Sequence, residues 1–266
     1  MVVVWTAGVD IGSVTTKMVV LADGIVISRC ITISGGNYRQ AAEQALASAL
    51  SNAGLSKDNI SHIVVTGFGA ANVPFQARKV TEIAAHARGI HHLFPQVRTV
   101  IDIGGQATRV VKLNGHGEAI DFVVSEKCAS GSGRFLEVMA RVLQTPLEEF
   151  GPLSSKSTKQ VQFTTSCAVF AESEAISRIA EGAAKEDILA GVHESMAIKV
   201  VSLVQRVRLE KEVAFTGGGA RDVGLVRSIE EKLGEKLLVP VEPVLTAALG
   251  AALIAWASVD SSRTIV

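Results

Sequence analysis

The sequence contains little cysteine, proline or tyrosine. Its 266 residues include three cysteines, six prolines and one tyrosine. Three cysteines cannot build a disulfide framework. None of them is spaced Cys-x-x-Cys, the pairing that zinc ribbons use. A disulfide-bonded domain and a zinc ribbon are therefore both excluded.

An excess of charge of one sign and a long apolar run are also missing. Lys plus Arg and Asp plus Glu each number 26, whereas a nucleic-acid or anionic-membrane partner requires a basic excess. The longest apolar stretch, residues 244–259, is shorter than the roughly 20 residues of a bilayer span. No targeting signal is evident. We therefore expect a soluble, cytoplasmic protein with no nucleic-acid or membrane partner.

A repeated element is present instead. Residues 10–21 begin Asp-Ile-Gly-Ser and residues 102–113 begin Asp-Ile-Gly-Gly, and each segment follows and precedes an apolar run. Aligned without a gap, the copies match Asp10 with Asp102, Gly12 with Gly104, Thr16 with Thr108 and Lys17 with Arg109. The pattern predicts a strand, a tight glycine turn and a second strand in each half. The duplication predicts two related domains, residues 1–95 and 96–266.

Hydrophobic periodicity predicts strands and helices in alternation, which favours an α/β fold. The main predicted helices span residues 38–53, 80–90, 192–209, 221–233 and 244–259. The predicted strands beyond the two hairpins span residues 60–66, 213–215 and 236–239. Residues 146–162 are polar and poor in periodicity, and we expect them to form a mostly exposed connection.

Glycine turns after the strands point to a nucleotide site. Glycine lets backbone N–H groups approach an anion closely, hydroxyl groups can donate to phosphate oxygens, and Lys17 can neutralise their charge. A third glycine turn, between a strand and a helix, suits adenosine or a phosphate. No P-loop motif occurs. The predicted nucleotide-binding residues are Gly12, Ser13, Thr15, Thr16, Lys17, Gly104, Gly105, Gly217, Gly218 and Gly219.

Two carboxylates complete this predicted site. Asp10 and Asp102 end strands, where their oxygens could hold Mg²⁺ through its water ligands or orient an attacking water. With Gln106 they are our predicted catalytic residues. A single Asp-Ile-Gly turn is most simply a tight hairpin, but three glycine turns, two of them matched in register, favour a nucleotide site.

Cys128 and Cys167 each precede a helix-like stretch. Their spacing leaves two alternatives open: unrelated buried thiols, or half of a four-thiolate zinc or iron–sulfur site that a symmetric homodimer would complete. His86, His91 and His92 are alternative ligands, although we favour hydrogen-bonding roles for them. Cys30 lies in an alternating apolar run, and we expect it to be a buried structural thiol.

The turns, in this order, resemble those of the superfamily of actin, sugar kinases and heat-shock chaperone ATPases. The resemblance implies an α/β fold of two duplicated ribonuclease-H-like domains, with ATP and Mg²⁺ held in a cleft between them. It does not specify the activity, because members of one fold perform different functions.

Six segments narrow the resemblance further. They look like segments of the activators of 2-hydroxyacyl-CoA dehydratases, a family that includes the ATP-binding subunits of benzoyl-CoA reductases. The segments are residues 10–13, 82–87, 102–106, 127–137, 167–174 and 215–219. In this family two cysteines per subunit bind one [4Fe-4S] cluster shared by a homodimer, which implies Cys128 and Cys167 as ligands. Also implied is an ATP-dependent one-electron donor, loaded by ferredoxin or flavodoxin, that reduces an iron–sulfur dehydratase or reductase partner.

Departures from the family pattern keep other functions open. Ala107 stands where the family has Asp, Arg109 where it has Lys, and Ala70 where it has Arg. Loss of the carboxylate at residue 107 could alter metal binding or hydrolysis. The alternatives are a small-molecule kinase of the same superfamily and a nucleotide-gated regulatory module without a cluster.

Overall fold

The computed structural model describes residues 3–125, 131–164 and 168–263, which divide into two compact units. Unit 1 comprises the chain up to Gln96, the segment Leu113–Ala119 and the residues from Val244 onward. Unit 2 comprises Val97–Lys112 and Ile120–Pro243. The break after Gln96 adjoins the domain boundary predicted between residues 95 and 96. The C-terminal helix, however, belongs to unit 1.

Unit 1 is a five-stranded mixed sheet with helices on it. Its elements are β1 (Trp5–Ile11), β2 (Thr15–Ala22), β3 (Ile25–Ile33), α1 (Tyr38–Ala53), β4 (Ile60–Thr66), β5 (Arg78–Lys79), α2 (Glu82–Leu93) and, from the end of the chain, α8 (Thr246–Arg263). The strand order is β3-β2-β1-β4-β5. β1 pairs antiparallel with β2 and parallel with β4, so the predicted first hairpin is confirmed.

Unit 2 repeats this sheet. Its elements are β6 (Thr99–Ile103), β7 (Thr108–Leu113), β8 (Ala119–Ser125), α3 (Gly133–Leu143), α4 (Phe150–Ser154), α5 (Ala168–Ala180), α6 (Lys185–Arg206), β9 (Val213–Gly217), α7 (Val223–Leu233) and β10 (Leu237–Leu238). The strand order is β10-β9-β6-β7-β8. β6 pairs antiparallel with β7 and parallel with β9. The second hairpin and the duplication are therefore confirmed.

Local sequence signals explain the elements that were predicted best. Helix α1 begins where the Asn37 side chain accepts a hydrogen bond from the backbone of Gln40, and it ends at Gly54 in the left-handed conformation. Both are standard capping solutions for the unpaired groups at helix ends. The predicted limits of α1 and of strand β4 agree with the structure.

Helix α8 packs closely on the sheet of unit 1. A Cβ at Gly8 of β1 would lie 2.1 Å from the carbonyl oxygen of Ala248 and from the amide nitrogen of Ala252. The helix predicted over residues 244–259 is therefore confirmed, and its small residues allow the close approach. Within residues 3–125, 131–164 and 168–263, no helix combines the length and apolar character that crossing a membrane requires.

One expectation was incomplete and one was wrong. The polar stretch 146–162 is mostly exposed, as expected, but it also contains α4, whose Phe150 is fully buried in the core of unit 2. One large aromatic anchors this short helix without creating a period that could be read from the sequence. Cys30 is only half-buried, because β3 is the edge strand of its sheet.

Candidate functional site

The first glycine turn joins β1 to β2 and is held by a serine that follows β3. The Gly12 N–H donates to the Thr15 carbonyl at 3.1 Å. The Ser34 hydroxyl donates to the Gly12 carbonyl at 2.7 Å and lies 2.9 Å from the hydroxyl of Thr16. Thr16 is fully buried, so it supports the turn from behind, whereas Ser13 and Thr15 are half-buried.

An ion pair sits at the base of this turn. Lys17 Nζ donates to Asp10 Oδ2 at 3.0 Å, and the two side chains are 13% and 9% exposed. The other carboxylate oxygen faces Gly67, where a Cβ would lie 2.5 Å from Asp10 Oδ1. Gly67 also has a φ of +93°, so both conformation and space require glycine there.

The second turn, between β6 and β7, has the same geometry. The Gly104 N–H donates to the Ala107 carbonyl at 2.9 Å. Arg109 Nη1 donates to Asp102 Oδ2 at 2.9 Å, with side chains 11% and 3% exposed. Gly217 has a φ of +83°, and a Cβ there would lie 2.4 Å from Asp102 Oδ1. Arg109, which replaces the family's lysine, thus forms with Asp102 the same kind of ion pair that Lys17 forms with Asp10 in the first turn.

The third glycine turn also has a counterpart, which the sequence analysis missed. Thr66-Gly67-Phe68-Gly69-Ala70 begins at the last residue of β4, and Thr216-Gly217-Gly218-Gly219-Ala220 begins within the end of β9. Both segments lead into a short 3₁₀ turn. The match was obscured because unit 2 carries additional helices before β9, so these copies are spaced differently from the aspartate turns. Residue-by-residue comparison of the two segments would have found it.

The second turn differs from the first in what holds it. The Gly133 N–H donates to the Gly104 carbonyl at 2.9 Å, and the Arg134 N–H donates to the Gly105 carbonyl at 2.8 Å. The Thr108 hydroxyl donates to the Gly131 carbonyl. Backbone groups at the beginning of α3 are therefore bonded directly to the turn.

The other departures from the family pattern are both in buried positions. Ala107 and Ala70 are 6% and 3% exposed. Gln106, by contrast, is exposed beside the second turn. The family's carboxylate position is thus filled here by a buried methyl group.

Cys128 and Cys167 lie outside the described residues, so the structure does not test their predicted role as ligands. The helices that follow them are described: α3 begins at Gly133 and α5 at Ala168. Phe135 of α3 and Ala175 of α5 belong to the same hydrophobic core. The two helices that follow the cysteines in sequence are therefore packed together in unit 2.

Metal-binding groups can be assessed only for the described part of the chain. There, no three His, Cys, Asp or Glu side chains come close enough to hold a metal ion. Asp10 and Asp102 each place one carboxylate, held in an ion pair, at the end of a strand. Such single carboxylates fit Mg²⁺, which keeps several water ligands and binds phosphates. His86 is buried, and both it and His91 have interactions within the protein, whereas His92 is exposed.

A buried histidine that the sequence analysis did not single out supports the third turn. His193 Nε2 lies 2.8 Å from Asp222 Oδ2, and its Nδ1 lies 3.0 Å from Ser154 Oγ. The other oxygen of Asp222 accepts the N–H groups of Gly224 and Leu225, which caps α7. This cluster joins α4, α6 and α7 directly after the glycine turn. No sequence motif marked it.

Two sheets of one topology, each with an aspartate turn and a glycine turn at corresponding strand ends, define the fold that actin-like and sugar-kinase proteins share. A glucokinase of the ROK family from Streptomyces griseus shares this fold, with a TM-score of 0.58 at 14% identity over 94% of this chain and 99% of that one. The sequence identifies a family, which is narrower than the fold. The model of the BadF/BadG/BcrA/BcrD ATPase family matches residues 7–255, and the chain belongs to that family.

Similar proteins include two curated activators. The 2-hydroxyisocaproyl-CoA dehydratase activator of Clostridioides difficile is 40% identical over 97% of both chains. The (R)-2-hydroxyglutaryl-CoA dehydratase activating ATPase of Acidaminococcus fermentans is 37% identical over 95% of this chain and 97% of its own. A solved structure of the Clostridium difficile activator with bound ADPNP has a TM-score of 0.94, at 39% identity over 98% of both chains.

Proposed function

We propose that this protein is a cytoplasmic, ATP-dependent activator that passes single electrons to a 2-hydroxyacyl-CoA dehydratase or to a related reductase. Full-length similarity to dehydratase activators supports the proposal. So does the pair of aspartate turns, because ATP hydrolysis needs groups that bind phosphate and a carboxylate that orients water. Reduced ferredoxin or flavodoxin would supply the electron.

In this proposal the glycine turns of both units bind ATP. Backbone N–H groups of Gly12, Ser13, Gly104 and Gly105 would meet the phosphates. Lys17 and Arg109 would balance the phosphate charge while they hold Asp10 and Asp102 in place. Both aspartates would bind Mg²⁺ through water, with Gln106 as a further polar group at the turn. Gly217, Gly218 and Gly219 would approach the adenosine.

The observation that carries the coupling is the bonding between the second turn and α3. Phosphate binding at Gly104 and Gly105 would shift carbonyl groups that accept hydrogen bonds from Gly133 and Arg134. Rigid helices transmit such small shifts, because packed elements move as units. The beginning of α3 would therefore respond to the state of the nucleotide.

The same helix follows Cys128, which we propose as an iron–sulfur ligand together with Cys167. Two cysteines per chain fit a [4Fe-4S] cluster only if a second copy supplies two more, so we propose a homodimer. Helix α5, which begins after Cys167, exposes Val169, Phe170 and Ile176, and these apolar side chains suit a subunit interface. When bound, the cluster would supply reversible storage of one electron.

Iron analysis of anaerobically purified protein tests this proposal. We expect a homodimer with about four iron atoms per two chains. Cys128→Ser should lose the iron and keep ATP binding, whereas Cys30→Ser, the matched control, should keep both. A monomer that is free of iron would contradict the proposal. An active ATPase without iron would favour the regulatory-module alternative, and phosphate transfer to a metabolite would favour the kinase.

A further inference from the structure

One buried hydroxyl in unit 1 has no partner in the described part of the chain. Thr66, the last residue of β4, is fully buried, and no hydrogen bond to its Oγ1 is formed by any described residue. Buried hydroxyl groups nearly always have a hydrogen-bond partner, because burial without one is unfavourable. The exception therefore requires an explanation.

Its position connects it to the predicted catalytic carboxylate. Thr66 is the register partner of Asp10 in the parallel β1–β4 pair, and Asp10 is the register partner of Lys17. Residues in register on neighbouring strands point to the same face of a sheet. The three side chains thus form one row, in which Lys17 binds Asp10 Oδ2. Asp10 Oδ1 lies against Gly67, the residue after Thr66.

Unit 2 contains the same row with a different outcome. Thr216 is the register partner of Asp102, as Asp102 is of Arg109. Thr216 is also fully buried, but its hydroxyl donates to the carbonyl of Pro243 at 2.7 Å. Sheet geometry therefore does not prevent a threonine at this place from forming a bond.

We infer that Thr66 Oγ1 and Asp10 Oδ1 together bind one water molecule during ATP hydrolysis. The inference rests on the proposed function and adds a positioning residue to it. A carboxylate and a hydroxyl on adjacent strands that do not bond directly can be bridged by water. The water would donate a hydrogen bond to Asp10 and accept one from Thr66. Two fixed contacts would set its direction, which one carboxylate oxygen alone would not.

Steady-state ATP hydrolysis by the full-length dimer tests this role. Thr66→Val removes the hydroxyl and keeps the shape of the side chain. We expect kcat to fall about 10-fold, as for a misplaced reactant, and KM for ATP to stay within about 2-fold. Thr66→Ser should recover most of the kcat, because it restores the hydroxyl. Unchanged kcat in Thr66→Val would overturn the inference.

Urea unfolding separates positioning from a structural role. The urea midpoint of Thr66→Val should equal or exceed that of the wild type, because no bond to a described residue is lost. Thr216→Val should have a lower midpoint, because it loses the bond to Pro243. If both the kcat and the urea midpoint of Thr66→Val are lower than those of the wild type, Thr66 has a structural role and the inference is wrong. A wild-type chain that does not hydrolyse ATP would instead overturn the proposed function itself.

Discussion

The two aspartate turns have the same geometry, but different neighbours hold them. In unit 1 the turn is fixed by Ser34, a side chain next to the same sheet. In unit 2 the corresponding bonds are formed with Gly131, just before α3, and with Gly133 and Arg134 at its beginning. The difference agrees with the division of roles proposed above: the first turn is closed within its own sheet, and the second is bonded to a helix.

The largest effects should come from the two carboxylates, and they should be unequal. The Asp10 side chain is the more exposed, at 9% against 3% for Asp102. Its register partner is Thr66, whose hydroxyl is bonded by no described residue. We expect Asp10→Asn to lower kcat for ATP hydrolysis about 100-fold or more, and Asp102→Asn to lower it less. Steady-state kinetics measure both. A larger loss for Asp102→Asn would reverse the assignment of roles.

Thr16 and Thr108 occupy corresponding positions in the two turns. Substituting each in turn distinguishes an effect on ATP hydrolysis from an effect on its coupling to electron delivery. Thr108→Val loses the bond to Gly131, and Thr16→Val loses the bond to Ser34. For Thr108→Val we expect the number of electrons delivered to the partner per ATP hydrolysed to fall about 10-fold, which lies in the usual range for coupling between two sites. Thr16→Val should lower hydrolysis and delivery in proportion. Equal ratios in the two variants would show that the turns do not differ in this way.

The two units should respond alike to substitution of the glycine that faces each aspartate. Gly67 and Gly217 both have a positive φ, and an alanine Cβ at either position would lie about 2.5 Å from an aspartate oxygen. Each substitution should lower the free energy of unfolding by about 2–4 kcal/mol. Gly54→Ala and Gly234→Ala are controls, because they have positive φ and open space, and should cost about 1 kcal/mol. Urea titrations measure all four, and a cost at Gly67 or Gly217 no larger than in its control would refute the close contact.

The smallest effect concerns a contact in the stretch between α4 and α6, which unit 1 does not have. Asp187 accepts the N–H of Lys159 and the hydroxyl of Ser157, and these bonds lower the pKa of its carboxyl. A lowered folded pKa stabilises the protein above the unfolded value of about 4, and this contribution disappears as the pH falls. Asp187→Asn should thus lower Tm slightly at pH 7, and the difference should vanish at low pH. A constant difference would exclude the carboxylate charge as its cause.

The parts of the fold that could be predicted from sequence are those set by neighbouring residues. The Asp-Ile-Gly repeat reveals both hairpins, because register, turn and ion pair all lie within a few residues of one another. The Ser34 contact, the His193 cluster and the bonds from Gly133 and Arg134 join residues distant in sequence. No local pattern encodes them. The cysteine ligands remain predictions, because they lie outside the described residues.

The bonds between the second turn and α3 are central to the proposed coupling. Hydrogen–deuterium exchange of the wild type and Thr108→Val, with and without a non-hydrolysable ATP analogue, measures that link directly. In the wild type the nucleotide should change exchange in peptides covering Gly133–Leu143 as well as in the turn, and Thr108→Val should reduce the change in α3 only. If the turn becomes protected while exchange in α3 of the wild type stays the same, the second turn does not transmit the state of the nucleotide.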